Sequence, residues 1–326
     1  MRHSFFHAMM LSILVALCAP GVAWANDFSS WLQDLRTEAR AAGISERTLD
    51  SAFAEIEEPL PRVVELDRKQ PEFTQTFSEY LAARVSAERI KRGRLMLKRY
   101  PTWLGRVESR FGVQRRFLVA LWGIETHYGA YTGGFKVIPA LATLAYDGRR
   151  GDYFRSELLT ALRIADEGHV RLENMTGSWA GAMGQCQFMP SSFARFAVDA
   201  EGDGRIDIWH SIPDVLASAA NYLARSGWQD DQTWGRQVRL PEDFDPSLVG
   251  LEQRRTMRQW EALGVRRADG SALPWRNLES SLILPDGEQG PAYLVYENFR
   301  VLMKWNRSIS FALAVGELSD QIANRR

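Results

Sequence analysis

Glu125 is the residue of this sequence best placed for acid–base chemistry. It ends an apolar run at 117–124 within the segment 114–129, which reads Q-R-R-F-L-V-A-L-W-G-I-E-T-H-Y-G. On a helix, Leu121 and Trp122 share its face, and a carboxyl packed against them is poorly hydrated, so its pKa rises. Such a group keeps its proton near neutral pH and can give it to a leaving oxygen. The alternative is a helix-end glutamate whose carboxyl reaches water.

A second segment, 175–192, carries side chains that suit sugar recognition. It reads M-T-G-S-W-A-G-A-M-G-Q-C-Q-F-M-P-S-S, and its glycines permit close approach and unusual backbone angles. Hydrogen-bonding groups, aromatic faces and an adaptable thioether lie between or beside them: Ser178, Gln187, Trp179, Phe188 and Met189. Taken alone, the segment would be adequately explained as a glycine-rich turn between helices.

Two groups of basic residues are less specific. Arg149 and Arg150 follow a Tyr-Asp-Gly turn and would either lie in a solvated loop or clamp an anionic group of a substrate. The run at 89–94 gives the second half of a helical pattern a basic face. Such faces are most often solvated, and the sequence assigns this one no role.

The segment 199–214 has the spacing of an EF-hand calcium loop. Positions 1, 3, 5, 6 and 9 of the loop hold Asp199, Glu201, Asp203, Gly204 and Asp207. Position 12 does not fit, because His210 replaces the bidentate glutamate, and Asp214 would have to supply the last carboxylate. Ser211 and Asp214 could equally form a capping box for a helix at 214–226. A calcium ion bound here would be structural.

The N-terminus has the pattern of a secretory signal peptide. A basic start is followed by an apolar run at 5–22 and by the small-x-small sequence Ala23-Trp24-Ala25, which predicts cleavage after Ala25. Export to the periplasm is therefore expected. Cys18 offers the alternative of an outer-membrane lipoprotein, although no small residue directly precedes it.

Composition excludes several classes of protein. The chain has 326 residues, of which 45% are hydrophobic and 25% charged, values typical of a globular protein with a substantial core. Its formal net charge is zero, so no global basic field favours nucleic acid. Beyond residue 25 the only cysteine is Cys186, which excludes an intrachain disulfide. No H-E-x-x-H motif supports a metalloprotease.

The elements that must position these residues are mostly helical. Two amphipathic helices are expected within 28–57, a long helix at 73–97, and another beginning at Pro101. Further helices are predicted at 152–167, 214–226 and 254–263. Short strands at 281–284 and 292–296 surround the turn at Asp286-Gly287, and helices return at 297–304 and from 308 onward. The fold class is therefore mainly α, with a small α+β lobe.

Five motifs together resemble those of the MltB-type lytic murein transglycosylases. They are G-I-E-T-H-Y-G (123–129), the segment 177–192, D-G-R-I-D-I-W (203–209), N-Y-L-A-R-S-G-W (221–228) and K-W-N-R-S-I-S-F-A-L-A-V (304–315). The resemblance implies a lysozyme-like helical core with an N-terminal α-rich region and a small β-containing lobe. The expected divisions are a signal peptide (1–25), a helical region (26–100), the catalytic core (101–228), the small lobe (229–296) and helices completing the core (297–326).

The resemblance also implies a reaction and its residues. Glu125 would act as the single acid/base that cleaves the MurNAc-β-1,4-GlcNAc bond of peptidoglycan and forms a 1,6-anhydromuramoyl product. Glycan contacts would fall on Ser178, Gln187, Phe188, Met189, Tyr222, Tyr80, Arg149, Arg150, Trp305 and Asn306. The calcium loop would use Asp199, Glu201, Asp203, the carbonyl of Arg205, and Asp214. Trp305 and Phe311 stand where family members have tyrosines, and the metal loop is one residue longer before Asp214.

The same resemblance defines the expected partners and the rival functions. No cofactor would be required, and the partners would be glycan strands, with cell-wall synthesis or division proteins as further candidates and a monomer as the expected state. One rival is a muramidase that hydrolyses the same bond. Another is a peptidoglycan-binding protein without catalytic activity.

Overall fold

The structure is a computed structural model that describes residues 21–69 and 75–323. The predicted signal peptide lies mostly outside these residues, as does Cys18, so export and lipidation remain predictions. Within the described ranges, no helix combines the length and the apolar character needed to cross a membrane. Cys186 is buried and unoxidised.

The chain up to residue 126 is helical where the structure describes it, as the sequence predicts. The helices there are α1 (Gly21–Ala41), α2 (Glu46–Phe53), α3 (Pro61–Lys69), α4 (Phe77–Arg84), α5 (Ala87–Arg99), α6 (Pro101–Phe111) and α7 (Arg115–Thr126). Side-chain caps set their starts where the chain supplies them. Ser45 accepts the amide of Thr48 at the start of α2, and Thr76 forms a capping box with Glu79 at the start of α4.

The single long helix predicted at 73–97 is wrong. The helical backbone ends at Arg84, and α5 begins at Ala87 after Val85 adopts a non-helical conformation. Ser86 caps the new helix by accepting the amide of Arg89. Apolar periodicity continues across this break, which is why the pattern alone suggests one helix. Phe73 lies outside the described residues.

The central part of the chain surrounds α7. It contains β1 (Phe135–Lys136), α8 (Val137–Asp147), α9 (Gly151–Asp166), β2 (Thr176–Gly177), α10 (Pro190–Phe196) and α11 (Ile212–Arg225). Strands β1 and β2 pair antiparallel, with Phe135 opposite Gly177. Helix α7 is buried along most of its length, from Arg116 to Ile124. A helix that is apolar on nearly all sides belongs in the middle of a core, and this one carries Glu125 on its last turn.

The small lobe is an antiparallel sheet with one helix. Its strands β3 (Gly235–Arg239), β4 (Arg255–Thr256), β5 (Arg266–Arg267), β6 (Glu279–Ile283) and β7 (Ala292–Val295) have the order β4-β6-β7-β3-β5. Helix α12 (Met257–Ala262) packs on it through Trp260, which is fully buried in a separate small core. The predicted strands at 281–284 and 292–296 correspond to β6 and β7.

The chain ends by returning to the main core. Helices α13 (Glu297–Trp305) and α14 (Ile309–Ile322) follow the sheet, and α14 packs against α7. The two run antiparallel, because Arg116 near the start of α7 donates to Ser319 near the end of α14 over 3.0 Å. The mainly α fold with a small β-containing lobe is therefore confirmed.

Candidate active site

Glu125 and Trp305 meet at the end of the α7–α14 pair. The indole Nε1 of Trp305 donates a hydrogen bond to Oε1 of Glu125 over 2.6 Å, although the two residues are 180 positions apart in the chain. Trp305 is the last residue of α13, where the chain turns toward α14. The geometry leaves the second carboxyl oxygen, Oε2, as the one that can face a ligand.

The backbone after Glu125 has an unusual conformation. His127, Tyr128 and Gly129 all have positive φ values, of 52°, 60° and 79°. Two non-glycine residues in succession in this region are uncommon and persist only when their surroundings impose the conformation. Here the hydroxyl of Thr126 accepts the amide of Gly129, and the Tyr128 hydroxyl donates to the carbonyl of Arg89 on α5. The turn thus fixes the end of α7.

The environment of Glu125 favours its protonated form. Burial raises the pKa of its carboxyl to about 7, while the Trp305 hydrogen bond and the positive charge of Arg84 act in the opposite direction. Desolvation disfavours the charged form of a carboxylic acid, and it outweighs both of these effects. At neutral pH the protonated and ionised forms of the Glu125 carboxyl are therefore both populated. A group that acts first as an acid and then as a base needs both forms.

The indole that contacts Glu125 is not the one expected from the helix spacing. Trp122 is buried, and its Nε1 donates to Oε1 of Gln185 over 2.8 Å instead. The Gln185 amide in turn donates to the carbonyl of Trp209, while the Thr126 hydroxyl contacts the Gln185 carbonyl. Gln185 thus joins α7 to the glycine-rich loop beside it. Gln185 was not among the predicted site residues. Its only signal in the sequence is a polar side chain between Gly184 and Cys186.

The glycine-rich loop, residues 177–189, folds back on itself next to α7. Short antiparallel bridges join Gly177 to Met183 and Met183 to Phe188. The Ser178 hydroxyl oxygen accepts the amides of Ala180 and Ala182, which leaves its own proton available to a ligand. Gln187 has a positive φ of 51°, and its amide nitrogen donates to carbonyls of Thr132 and Gly184. Its amide orientation is thereby set.

An aromatic cluster extends from Trp305 to the loop. The ring centroids of Phe188 and Tyr222 lie 5.1 Å and 4.7 Å from that of Trp305. The Tyr222 hydroxyl donates to the Lys304 carbonyl, which anchors the end of α13. Phe188 is only 2% exposed, so its ring supports Trp305 from below, whereas Met189 beside it is half-buried. Three of the predicted glycan contacts, Phe188, Tyr222 and Trp305, thus form one cluster with Glu125.

Gly133, in the loop between α7 and β1, is required for the close approach of that loop to the glycine-rich loop. Its φ is 98°, and an added Cβ would lie 2.0 Å from the Gly177 carbonyl oxygen. We expect Gly133→Ala to destabilise the protein by about 2–4 kcal/mol, because backbone cannot yield as a side chain does. Gly134→Ala is the control, since nothing lies within 4 Å of its Cβ. Equal urea midpoints for the two variants would contradict this account.

Tyr80 and Arg84 approach the site from α4. The Arg84 guanidinium lies 5.3 Å from the centroid of the Tyr80 ring. It is also close enough to Glu125 for its charge to lower the pKa of that carboxyl. Arg84 was not among the predicted site residues, because the predicted single helix gave no reason to direct it toward α7.

The predicted residues Arg149, Arg150 and Asn306 have other partners in this structure. Both arginines form ion pairs with the buried Asp67 on α3, at 2.8 Å and 2.9 Å. A structural role in joining α3 to the α8–α9 turn thus accounts for them. Asn306 is exposed and caps the turn before α14, where its Oδ1 accepts the amide of Ser308. No described contact joins these three residues to Glu125.

The predicted calcium ligands do not converge. Both oxygens of Asp214, which is buried, accept backbone amides from Ala200 and Asp207, and Ser211 caps the helix that follows. The Asp199 carboxylate likewise accepts the amides of Gly202 and Gly204. In the ranges that the structure covers, no three His, Cys, Asp or Glu side chains gather as a metal site. Ser211 caps the helix on its own, because the Asp214 carboxylate accepts amides of the loop instead of the Ser211 amide that a capping box requires.

Comparison with known proteins agrees with this geometry. A family model described as the transglycosylase SLT domain matches residues 27–320. The membrane-bound lytic murein transglycosylase B of Escherichia coli (strain K12) is 32% identical over 246 residues, covering 74% of this chain and 66% of that protein. The chain thus matches just under two thirds of the length of that relative.

Solved structures show the same fold. SltB3 from Pseudomonas aeruginosa, in complex with NAG-anhNAM-pentapeptide, is 45% identical and has a TM-score of 0.89, covering 91% of this chain and 80% of its own. The Escherichia coli lytic transglycosylase Slt35, in complex with calcium, is 28% identical with a TM-score of 0.78, covering 90% of this chain and 92% of its own. The expected lytic-transglycosylase fold is confirmed, and this chain belongs to the transglycosylase SLT family.

Proposed function

We propose that this protein is a lytic transglycosylase of peptidoglycan. It would cleave the β-1,4 bond between N-acetylmuramic acid and N-acetylglucosamine without adding water, and leave a 1,6-anhydromuramoyl end. The observation that carries the proposal is the Glu125 carboxyl, partly buried, bonded to one indole, and with a pKa of about 7. The relatives named as lytic transglycosylases support the same reaction.

The two carboxyl oxygens of Glu125 would have different roles. Trp305 occupies Oε1, so the proton on Oε2 is the one delivered to the glycosidic oxygen as the bond breaks. The carboxylate that remains keeps its hydrogen bond from the indole, which stabilises the new charge. It then accepts the proton of the muramoyl C6 hydroxyl, whose oxygen attacks C1 and closes the anhydro ring. The proton count balances, and Glu125 ends the cycle protonated.

The cationic C1 would be stabilised by the substrate itself. Glycosidases of the usual kind use two carboxylates about 5–9.5 Å apart. Among the described residues, the polar groups that act on the pKa of Glu125 are Trp305 and Arg84, with no second carboxylate. The acetamido oxygen of the muramoyl residue would take the place of the second carboxylate and stabilise the cationic C1. Ser178 would orient that acetamido group through its free hydroxyl proton.

The sugar contacts are proposed from the residues that the fold gathers around Glu125. Gln187 and Met189 on the glycine-rich loop, Tyr222 and Trp305 across from them, and Tyr80 from α4 would line the groove, with Phe188 supporting it. Arg149, Arg150 and Asn306 are left out, because their described partners account for them. A calcium ion bound by the loop 199–214 would have a structural role and no part in the reaction. The predicted signal peptide would export the protein to the periplasm, where glycan strands would be its partner.

The products of digestion test this proposal. Purified sacculi are incubated with the enzyme, and the released muropeptides are weighed by mass spectrometry. Each is expected to be one water lighter than the corresponding hydrolysis product. Products with reducing ends would identify a muramidase instead, and binding without turnover would identify a non-catalytic wall-binding protein.

The pH dependence of activity provides a second prediction. Because Glu125 must be protonated in the free enzyme, kcat/KM should fall as pH rises through about 7, by up to tenfold per pH unit. Trp305→Phe keeps the ring but removes the N–H that favours the carboxylate, so the pKa of Glu125 rises and the alkaline limb moves to higher pH. Trp275→Phe, at an exposed tryptophan of the small lobe, is the control. An unmoved alkaline limb in Trp305→Phe would exclude this role of the indole.

A further inference from the structure

Helix α5 carries a concentration of positive charge that the reaction does not use. Segment 84–116 contains eleven basic and two acidic residues, although the whole chain has a formal net charge of zero. Five of the basic residues form what we call the basic strip: Lys91, Arg92, Arg94, Lys98 and Arg99, all on α5. No role for this charge is evident in the sequence. A solvated helix face would explain the charge, but not the lack of ion pairs in the part of the chain that the structure describes, the groove beside the helix or the contact with the turn after Glu125.

The cations of the basic strip lack acidic partners within the described residues. Arginines elsewhere in the fold are held by carboxylates, such as Arg36 by Glu46 and Arg155 by Glu38. For the five strip residues, the described part of the chain provides no ion pair, and Arg94 donates instead to the backbone carbonyl of Gln321. Unpaired cations at this density repel each other and favour an external anion.

The basic strip borders a shallow groove. Lys91, Arg94, Leu95 and Lys98 follow the i, i+3, i+4, i+7 spacing of one helix face, and all four are exposed. The groove beside them has a volume of about 900 Å³ and includes Leu95, which is 55% exposed. From Lys91 to Lys98 the face extends about 10 Å. Its size suits a short extended chain with both carboxylate and apolar groups.

The N-terminal end of α5 directly contacts the turn 127–129 that follows Glu125, which we call the catalytic turn. Glu88 on its first turn pairs with His127 over 3.5 Å, two residues after Glu125. The Arg89 carbonyl accepts the hydroxyl of Tyr128 over 2.7 Å. The basic strip and its groove therefore begin near Glu125, at the end of α7, and extend away from it along α5.

We propose that the basic strip docks an acidic peptide carried by the glycan strand that Glu125 cleaves. This inference rests on the proposed function, since it assigns the place of a substituent of that substrate. A peptide attached near the cleaved bond ends in free carboxylates, which the unpaired lysines and arginines attract. The continuity of the strip with the catalytic turn favours this occupant over an anionic lipid surface, which would need no connection to Glu125.

Binding to sacculi with and without their peptides tests this inference. The measurement uses the Glu125→Gln background, so that binding is read without turnover. Lys91→Glu with Lys98→Glu should weaken binding to intact sacculi about tenfold and make it depend less on salt, because two attractive charges of the strip become repulsive. Binding to peptide-stripped sacculi should change less than twofold. Arg62→Glu with Lys69→Glu on α3, both exposed, makes the same charge change away from the strip and should leave both affinities as they are.

Each other outcome would overturn the inference. Equal weakening on intact and stripped sacculi would assign the basic strip to the glycan or to the fold. Unchanged binding to sacculi, together with lost binding to vesicles containing phosphatidylglycerol, would assign it to a membrane surface. Because affinity is measured without turnover, a failure of the proposed reaction would appear separately, as missing anhydro products from the enzyme with Glu125 intact.

Discussion

Glu125→Gln is expected to remove essentially all cleavage of sacculi. The amide has the shape of the acid and can still accept the Trp305 N–H, but it has no proton to deliver and no carboxylate to accept one. General acid–base assistance is worth about 10²–10⁴-fold, and here one residue performs both steps, so the loss should reach at least the upper part of that range. Release of muropeptides over time is the measurement.

The control for this variant is binding. Affinity for sacculi should stay within about twofold of wild type, because the groove and the aromatic cluster are intact. Glu108→Gln on α6, where the carboxylate pairs with Arg115 at the surface, should leave the rate of cleavage unchanged. Turnover close to wild type in Glu125→Gln would reject the acid–base role of Glu125.

The same substitution should alter stability in a way that depends on pH. The folded-state pKa of Glu125 is raised to about 7, so its stabilising contribution is complete below the unfolded pKa, near 4.5, and is lost as pH rises through 7. Wild type and Glu125→Gln should therefore unfold at the same urea concentration at pH 4. At pH 8 the variant should be more stable by about 3 kcal/mol, since each pKa unit corresponds to about 1.4 kcal/mol.

Gln185→Leu is expected to have the largest effect on stability. The glutamine is only 7% exposed and satisfies both the Trp122 indole N–H and the Trp209 carbonyl. Leucine leaves these two buried groups without partners, and each costs about 1–3 kcal/mol, so a loss of about 2–6 kcal/mol in unfolding free energy should result. Activity should fall at temperatures where the variant remains folded, because α7 loses the Trp122 hydrogen bond to the glycine-rich loop and is then joined to Gln185 only through Thr126.

Gln33→Leu on α1 is the matched substitution at an exposed glutamine. It should change the free energy of unfolding by less than about 0.5 kcal/mol. Denaturant unfolding of both variants at pH 6 separates a buried hydrogen-bond network from a general effect of leucine. Similar midpoints for Gln185→Leu and wild type would mean that the network contributes little.

Local patterns predicted the elements better than they predicted the contacts around Glu125. The apolar run of α7 identified the buried helix and the position of Glu125 on it. The indole beside that carboxyl was assigned to Trp122, because three- and four-residue spacing is what a single helix reveals. Its actual partner, Trp305, depends on how α13 returns to α7, and no local rule specifies a contact across 180 residues.

The arginine pair and the acidic loop show what residue type and spacing leave open. Arg149 and Arg150 suit an anionic ligand, but a carboxylate of the protein itself, Asp67, is buried between helices and occupies them. The loop at 199–214 has the spacing of a calcium site, yet its carboxylates accept backbone amides. Residue type and spacing state which groups are available; only the folded chain decides which partner satisfies each of them.

Under the proposed mechanism, the hydrogen bond between Glu125 and Trp305 would also determine when the protein acquires its activity. The indole lies 180 positions after Glu125, so a nascent chain contains the carboxyl long before it contains the group that orients it. A chain that still lacks α13 therefore has no Trp305 to bond that carboxyl. Docking of α13 and α14 would complete maturation and confine bond cleavage to molecules in which these helices have folded onto α7.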